Sequence, residues 1–352
     1  MEGFAFPVNQ RLAPCLLPEP PLVRYTLRGF GGAGMRRSLA AAAGAAGGLT
    51  IGLIGLAALN ARRAEAAVPK QGKLVTIDGS QLHYVELGSG PPILMVHGLA
   101  GNLRNFARSV VEDLSRDHRV ILLDRPGSGY SVRGKGVSAR LPDQAALVAK
   151  FIERLDIGRP LLVGHSLGGA VSLALALDRP DLVRGLALIA PLTQPQEEYA
   201  RVFRSLELTS PLVRRAVAWT LATPFILANR SRAQGQIFGP EPVPHDFGTA
   251  GGGLLSARPA AFYEASSDMV AINRDIPAIA ARYVELRLPV DILFARGDRL
   301  LDFRKHGEQT AREIGGARLE LVDGGHMIPF TQPGLTVGWL RRVLARQAAA
   351  AA

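Results

Sequence analysis

The hexapeptide Gly164-His165-Ser166-Leu167-Gly168-Gly169 follows the apolar run Pro160-Leu161-Leu162-Val163 and leads into Ala170-Val171-Ser172-Leu173-Ala174-Leu175. A short buried strand ends in glycine, a serine follows, and two more glycines open a helix. A strand-to-helix turn of this kind presents the serine hydroxyl at its tip. It holds the serine in a strained backbone conformation, and a side chain two residues before or after it would strike the neighbouring strand or helix. The leading end of the helix aims N–H groups at the serine and favours negative charge there. His165 is expected to point away from the serine, because neighbouring side chains in a tight turn diverge.

Outward from this turn the chain alternates strands and helices. Leu74–Ile77 and Leu82–Leu87 read as two strands joined by a tight turn at Asp78-Gly79. Ile93–Val96, Val120–Leu123, Leu186–Ile189, Val290–Phe294 and Leu319–Val322 are short apolar runs, with helices expected near 105–114, 144–155 and 334–346. Continuous apolar strands between helices predict an α/β fold, with a mostly parallel central sheet covered on both faces. Residues 193–287 break the alternation. They are too long for a connection and read as an inserted helical cap over the strand ends. Trp219, Phe225, Phe238, Phe262 and Tyr263 are candidates to line a pocket beneath it or to pack it onto the sheet. The expected organisation is a poorly ordered leader (1–34), an apolar helix (35–63), a linker (64–72), a core (73–192 and 288–348) and the cap (193–287).

A serine hydroxyl is a weak nucleophile without an adjacent base. Of seven histidines, His326 follows the last strand in Val322-Asp323-Gly324-Gly325-His326-Met327, where a parallel sheet places its chemistry. A carboxylate must then fix the tautomer of the base. Asp298 follows the strand before it, within Arg296-Gly297-Asp298. Asp302 is the alternative, and Asp124, after an earlier strand, is a third candidate, although Pro126-Gly127 suggests that it shapes a turn. The N–H groups of Leu99 and Leu167 are the expected oxyanion donors, with His97 and Gly98 as the supporting loop.

With the order Ser166, Asp298, His326 in hand, residues Lys73 to Arg346 resemble the α/β-hydrolase fold. The matching pieces are the His97-Gly98 loop, Asp124 to Ser131, the Gly164-to-Gly169 elbow, Gly297-Asp298 and Gly325-His326. The resemblance implies a serine-nucleophile member. A serine argues against the dehalogenases and epoxide hydrolases of that family, which use aspartate at the elbow. The expected reaction is hydrolysis of a small to medium apolar carboxylic ester through an acyl-enzyme. The alternatives are a C–C bond hydrolase, with Arg201, Arg204 or Arg214 meeting a second carbonyl or carboxylate, a haloperoxidase-like member, and a membrane-tethered ligand-binding protein without turnover. No cofactor is expected, and no His/Cys/carboxylate cluster has metal-ligand spacing.

Outside the resemblance, Met35-Arg36-Arg37 introduces an apolar stretch, Ser38 to Ala61, closed by Arg62-Arg63. About 24 uncharged residues suffice to span a bilayer core of about 30 Å. A single-pass anchor is expected. The alternatives are export after cleavage near Ala64-Glu65-Ala66, with Met35 as an alternative start, and a soluble Ala-rich helix. Gly44, Gly48 and Gly52 recur at the spacing that lets two helices approach, so a homodimer through this segment is also expected. The net charge of +11 is dispersed. It lacks the basic stripe with interleaved aromatics of a nucleic-acid binder. The lone Cys15 sits far from every other motif.

Overall fold

The computed structural model describes residues 32–351, so nearly all of the expected leader, and Cys15, lies outside the described residues. The chain divides into two units, Met1–Gly48 and Leu49–Ala352. Helix α1 (Gly32–Ala67) begins in the first and ends in the second. It runs past the expected end at residue 63. Ala64 and Val68 are buried, and the Val68 N–H donates to the Ala64 carbonyl, so packing carries the helix through part of the expected linker. Only 6 % of the most apolar window in Ala40–Ala67 is buried. That is not the burial of a core helix; in length and composition the segment suits a membrane span or a signal sequence.

In the second unit, strands β1 (Lys73–Ile77), β2 (Ser80–Leu87) and β3 (Pro92–Val96) precede α2 (Arg108–Leu114), β4 (Arg119–Leu123) and α3 (Leu141–Arg154). Strand β5 (Leu161–His165), α4 (Leu167–Asp178) and β6 (Gly185–Ile189) follow. The cap contributes α5 (Pro211–Trp219), α6 (Ala222–Phe238) and α7 (Pro259–Ala280). The chain then returns through β7 (Val290–Ala295), α8 (Thr310–Glu313), β8 (Arg318–Val322), α9 (Ile328–Thr331) and α10 (Pro333–Ala351).

The eight strands form one sheet in the order β1-β2-β4-β3-β5-β6-β7-β8. The β1–β2 and β2–β4 pairs are antiparallel and the others parallel. Alternate side chains of one strand feed opposite layers, as the two-residue period of a strand requires. Leu94 and Val96 of β3 join the layer with α3 and α4, whereas Ile93 and Met95 join the layer with α2 and α10. Both layers are apolar, so the central strands read as unbroken hydrophobic runs.

After β3 the chain goes to β4 on one side, then crosses to β5 on the other. The crevice at this switch point, outside the carboxyl ends of the strands, is where an open α/β sheet binds ligands. The turns after β3, β4, β5, β7 and β8 carry His97, Asp124, Ser166, Asp298 and His326 respectively.

Candidate active site

Ser166 has φ +52° and ψ −121°, a strained conformation for a residue with a side chain. The strain is held by the bonds around it: the Ser166 N–H donates to Ile189 O, and its carbonyl accepts from Gly169 and Leu192. The flanking glycines are sterically required. A Cβ on Gly164 would lie 2.7 Å from the Gly168 carbonyl oxygen, and one on Gly168 would lie 2.1 Å from the Val96 carbonyl oxygen.

His326 meets Asp298 as the spacing suggests. Its Nδ1 donates to Asp298 Oδ2 over 2.7 Å, which leaves Nε2 as the free lone pair of the ring. The Asp298 side chain is fully buried, and its Oδ1 accepts from the N–H groups of Leu300 and Leu301 at 2.8 and 3.0 Å. Asp302 is not joined to His326; its carboxylate is half exposed and caps the Arg304 N–H. Asp124 is bound up elsewhere. Its oxygens accept from His83 Nδ1 and from the N–H groups of Leu103 and Tyr130, so it shapes the turn after β4.

Ser166, His326, Leu99, Leu167 and Gly98 line one cavity of about 430 Å³. Leu167 is the first residue of α4, so its N–H is one of the helix's unpaired donors. The loop hydrogen bonds around His97-Gly98 leave the Leu99 N–H unused among the described residues. A Cβ on Gly98 would come within 2.9 Å of Ser166 Cβ, so only glycine lets this loop approach the serine. Phe225 and Phe262 line the cavity, as do Phe247 and Met269, while Trp219, Phe238 and Tyr263 do not. Of the three cap arginines considered, Arg201 lines the cavity. Arg204 pairs with Glu198, and the buried Arg214 is taken up by Leu208 O, Ser266 and Ser267.

Several residues that hold this arrangement carry no motif. The Arg125 guanidinium is fully buried and donates to the carbonyls of His97 and Gly98, to Gln144 and to Asp268 of α7. It therefore clamps the loop beside Ser166 to the cap. Glu241 of the cap accepts from the Gly325 N–H at 3.0 Å and from Thr331 and Gln332, fixing the loop that carries His326. His165, expected to point away from the serine, donates through Nε2 to the His326 carbonyl at 3.0 Å, and the two rings lie 5.0 Å apart.

Burial pushes His165 down to about 3 and His97 and His306 down to about 4, with the charges of His326, Arg125 and Lys305 adding to the effect. A histidine held neutral in the fold takes up its proton on unfolding once the pH is below its ordinary 6.5. Below that pH the unfolded chain binds more protons, so stability rises with pH between about 4 and 6.5 and is lost as pH falls through this window. The melting temperature should therefore drop steadily from pH 6.5 toward pH 4; a flat profile there would contradict the neutral assignment.

The family model described as the alpha/beta hydrolase fold matches residues 91–333. The chain is 32% identical to haloalkane dehalogenase 2 of Mycobacterium tuberculosis over 137 residues, which is 39% of this chain and 48% of that protein. It is 36% identical over 120 residues to the 2-hydroxy-6-oxo-2,4-heptadienoate hydrolase of Pseudomonas putida, covering 34% of this chain and 44% of that one. The match thus spans about half the length of these relatives. Among solved structures, a bacterial membrane phospholipase A superposes with a TM-score of 0.66 at 23% identity, covering 90% of this chain and 98% of that one; this likeness concerns the fold.

Proposed function

The chain belongs to the α/β-hydrolase fold family, and from that premise we propose that it is a serine hydrolase that cleaves an apolar carboxylic ester. The observation that carries the reading is the 2.7 Å bond between His326 Nδ1 and a fully buried Asp298, at the wall of the cavity that also holds the strained Ser166. Ser166 Oγ attacks the ester carbonyl as His326 Nε2 takes its proton. The tetrahedral oxyanion is held by the N–H groups of Leu99 and Leu167. Collapse breaks the bond to the leaving alcohol, which receives the proton from His326, and leaves an acyl group on Ser166. A water, deprotonated by His326, then releases the acid and restores the hydroxyl. Asp298 keeps Nδ1 protonated, orients the ring and stabilises the imidazolium. The aromatic and aliphatic lining suits an apolar acyl or alcohol group.

The hydroxyl also argues against dehalogenation, the activity in the name of one relative. Displacement of halide by a serine oxygen would form an ether, which water does not hydrolyse under these conditions, so the site could not turn over. A second reading, C–C bond hydrolysis, draws on Arg201 in the cavity wall, which could meet a substrate carboxylate.

The test is a fluorophosphonate probe with a panel of p-nitrophenyl esters. Labelling that maps to Ser166 by mass spectrometry, with turnover of the esters, is expected. Labelling without ester turnover would favour the C–C reading, and no labelling would sink both.

A further inference from the structure

Large hydrophobic side chains left exposed are concentrated in two places among the described residues. One set runs along α1 from Leu49 to Leu59; the other lies on α5 and α6 of the cap. In the cap, Leu212 is 81% exposed, Leu221 57%, Phe225 50% and Trp219 44%. Leu212 and Trp219 recur at two helical turns on α5 and share a side of that helix; Leu221, the residue that caps α6, lies four positions before Phe225. The helices follow one another through Thr220 and Leu221, so the four exposed residues lie within one short stretch of the cap, 212–225.

The two sets meet. The Ala257 carbonyl accepts from Asn60 Nδ2 of α1 at 3.3 Å and from Thr223 Oγ1 of α6 at 3.2 Å. The apolar stretch of α1 ends at Leu59, beside Asn60, and the apolar edge of α6 begins at Leu221, two residues before Thr223. The edge is also continuous with the cavity, because Phe225 and Leu227 are exposed and line it as well. Its charge is basic. Among the described residues Arg215, Arg230 and Arg232 have no carboxylate partner, whereas the nearby Arg204 and Arg258 pair with Glu198 and Glu65.

We propose that this α5–α6 edge is a bilayer contact, which rests in the interfacial layer of an anionic membrane and passes a lipid-soluble ester into the cavity beside Phe225 and Leu227. Apolar side chains flanked by arginines are the composition that binds anionic interfaces. Exposed apolar side chains rimmed by polar residues mark interaction or membrane sites, and the neighbouring apolar stretch of α1 selects the membrane here. The proposal rests on α1 being a membrane anchor and on Ser166 being the nucleophile.

Tryptophan supplies the test, since the chain has two and Trp339 is buried in the core. The full chain is reconstituted into vesicles of phosphatidylcholine and phosphatidylglycerol whose acyl chains carry bromine, a contact quencher. Most of the emission that Trp219→Phe removes should be quenched, and less of it when phosphatidylglycerol is left out. The double variant Leu212→Glu/Leu221→Glu, at two residues outside the cavity lining, should cut turnover of a long-chain ester in vesicles about tenfold. It should leave turnover of a short soluble ester unchanged. Protein that floats with the vesicles while Trp219 escapes quenching overturns the bilayer contact and leaves the anchor standing. Protein that does not float overturns both. Quenching without fluorophosphonate labelling of Ser166 upholds the contact and strikes only the hydrolytic reading.

Discussion

Ser166→Ala is expected to lower kcat on p-nitrophenyl esters by about 10⁴-fold or more, the loss seen when a serine nucleophile is deleted. The structure gives reasons to expect a chemical loss rather than a folding one. The strained backbone of Ser166 is held by its own N–H and carbonyl, through Ile189, Gly169 and Leu192, and alanine keeps both. Among the described residues the hydroxyl makes no hydrogen bond that alanine would strand. The cavity gains only the volume of one oxygen, so KM should move little. The measurement is kcat and KM for both proteins, with a melting curve to show equal stability. Residual turnover above about one percent, far beyond what an oxyanion site and binding supply alone, would mean that another group attacks the substrate.

Asp298→Asn is expected to cost about 10⁴-fold in kcat, as when a triad acid becomes an amide. The carbonyl oxygen of the new amide can still accept from Leu300 and Leu301, where Asp298 Oδ1 now sits. Its NH₂ then faces His326 Nδ1. It drives the imidazole proton to Nε2, the atom that must accept from Ser166. Asp302→Asn is the control. That carboxylate is half exposed and caps a local turn, so its kcat should stay within a few-fold of wild type. Equal losses in the two variants, or a larger loss at 302, would remove Asp298 from the role of orienting acid.

The elbow is legible in the sequence because its constraint is local: six consecutive residues determine whether the turn closes, and glycine at 164 and 168 is visible as text. Asp298 and His326 are legible for a related reason, since each stands just past an apolar strand. The residues that hold them are not. Arg125 and Asp268 are 143 positions apart, and Gly325 and Glu241 are 84 apart. Asp268 lies inside a helix where a lone acid usually faces solvent, and nothing in its neighbours announces a buried guanidinium. Divergence of neighbouring side chains turns His165 away from the serine, but nothing local shows that its ring meets the His326 carbonyl, 161 positions away. Helix α1 outruns its expected end because the buried contacts of Ala64 and Val68 come from tertiary packing, which overrides a local composition that is neutral between helix and linker.

Helix α7 turns three acids toward the sheet domain. Glu264 and Asp268 meet Arg133, Asp268 also meets Arg125, and Asp275 meets Arg140 while accepting the first N–H of α3. A charge buried without its counterpart is strongly destabilising, which makes the two sides of this seam inseparable in inheritance. A chimaera that grafts a foreign cap onto this core would have to import acids at these three places or strip the arginines from beneath them. Recombination between relatives should therefore break at α5 and α6, where no such set of opposite charges must match, and carry α7 along with the core as a single heirloom.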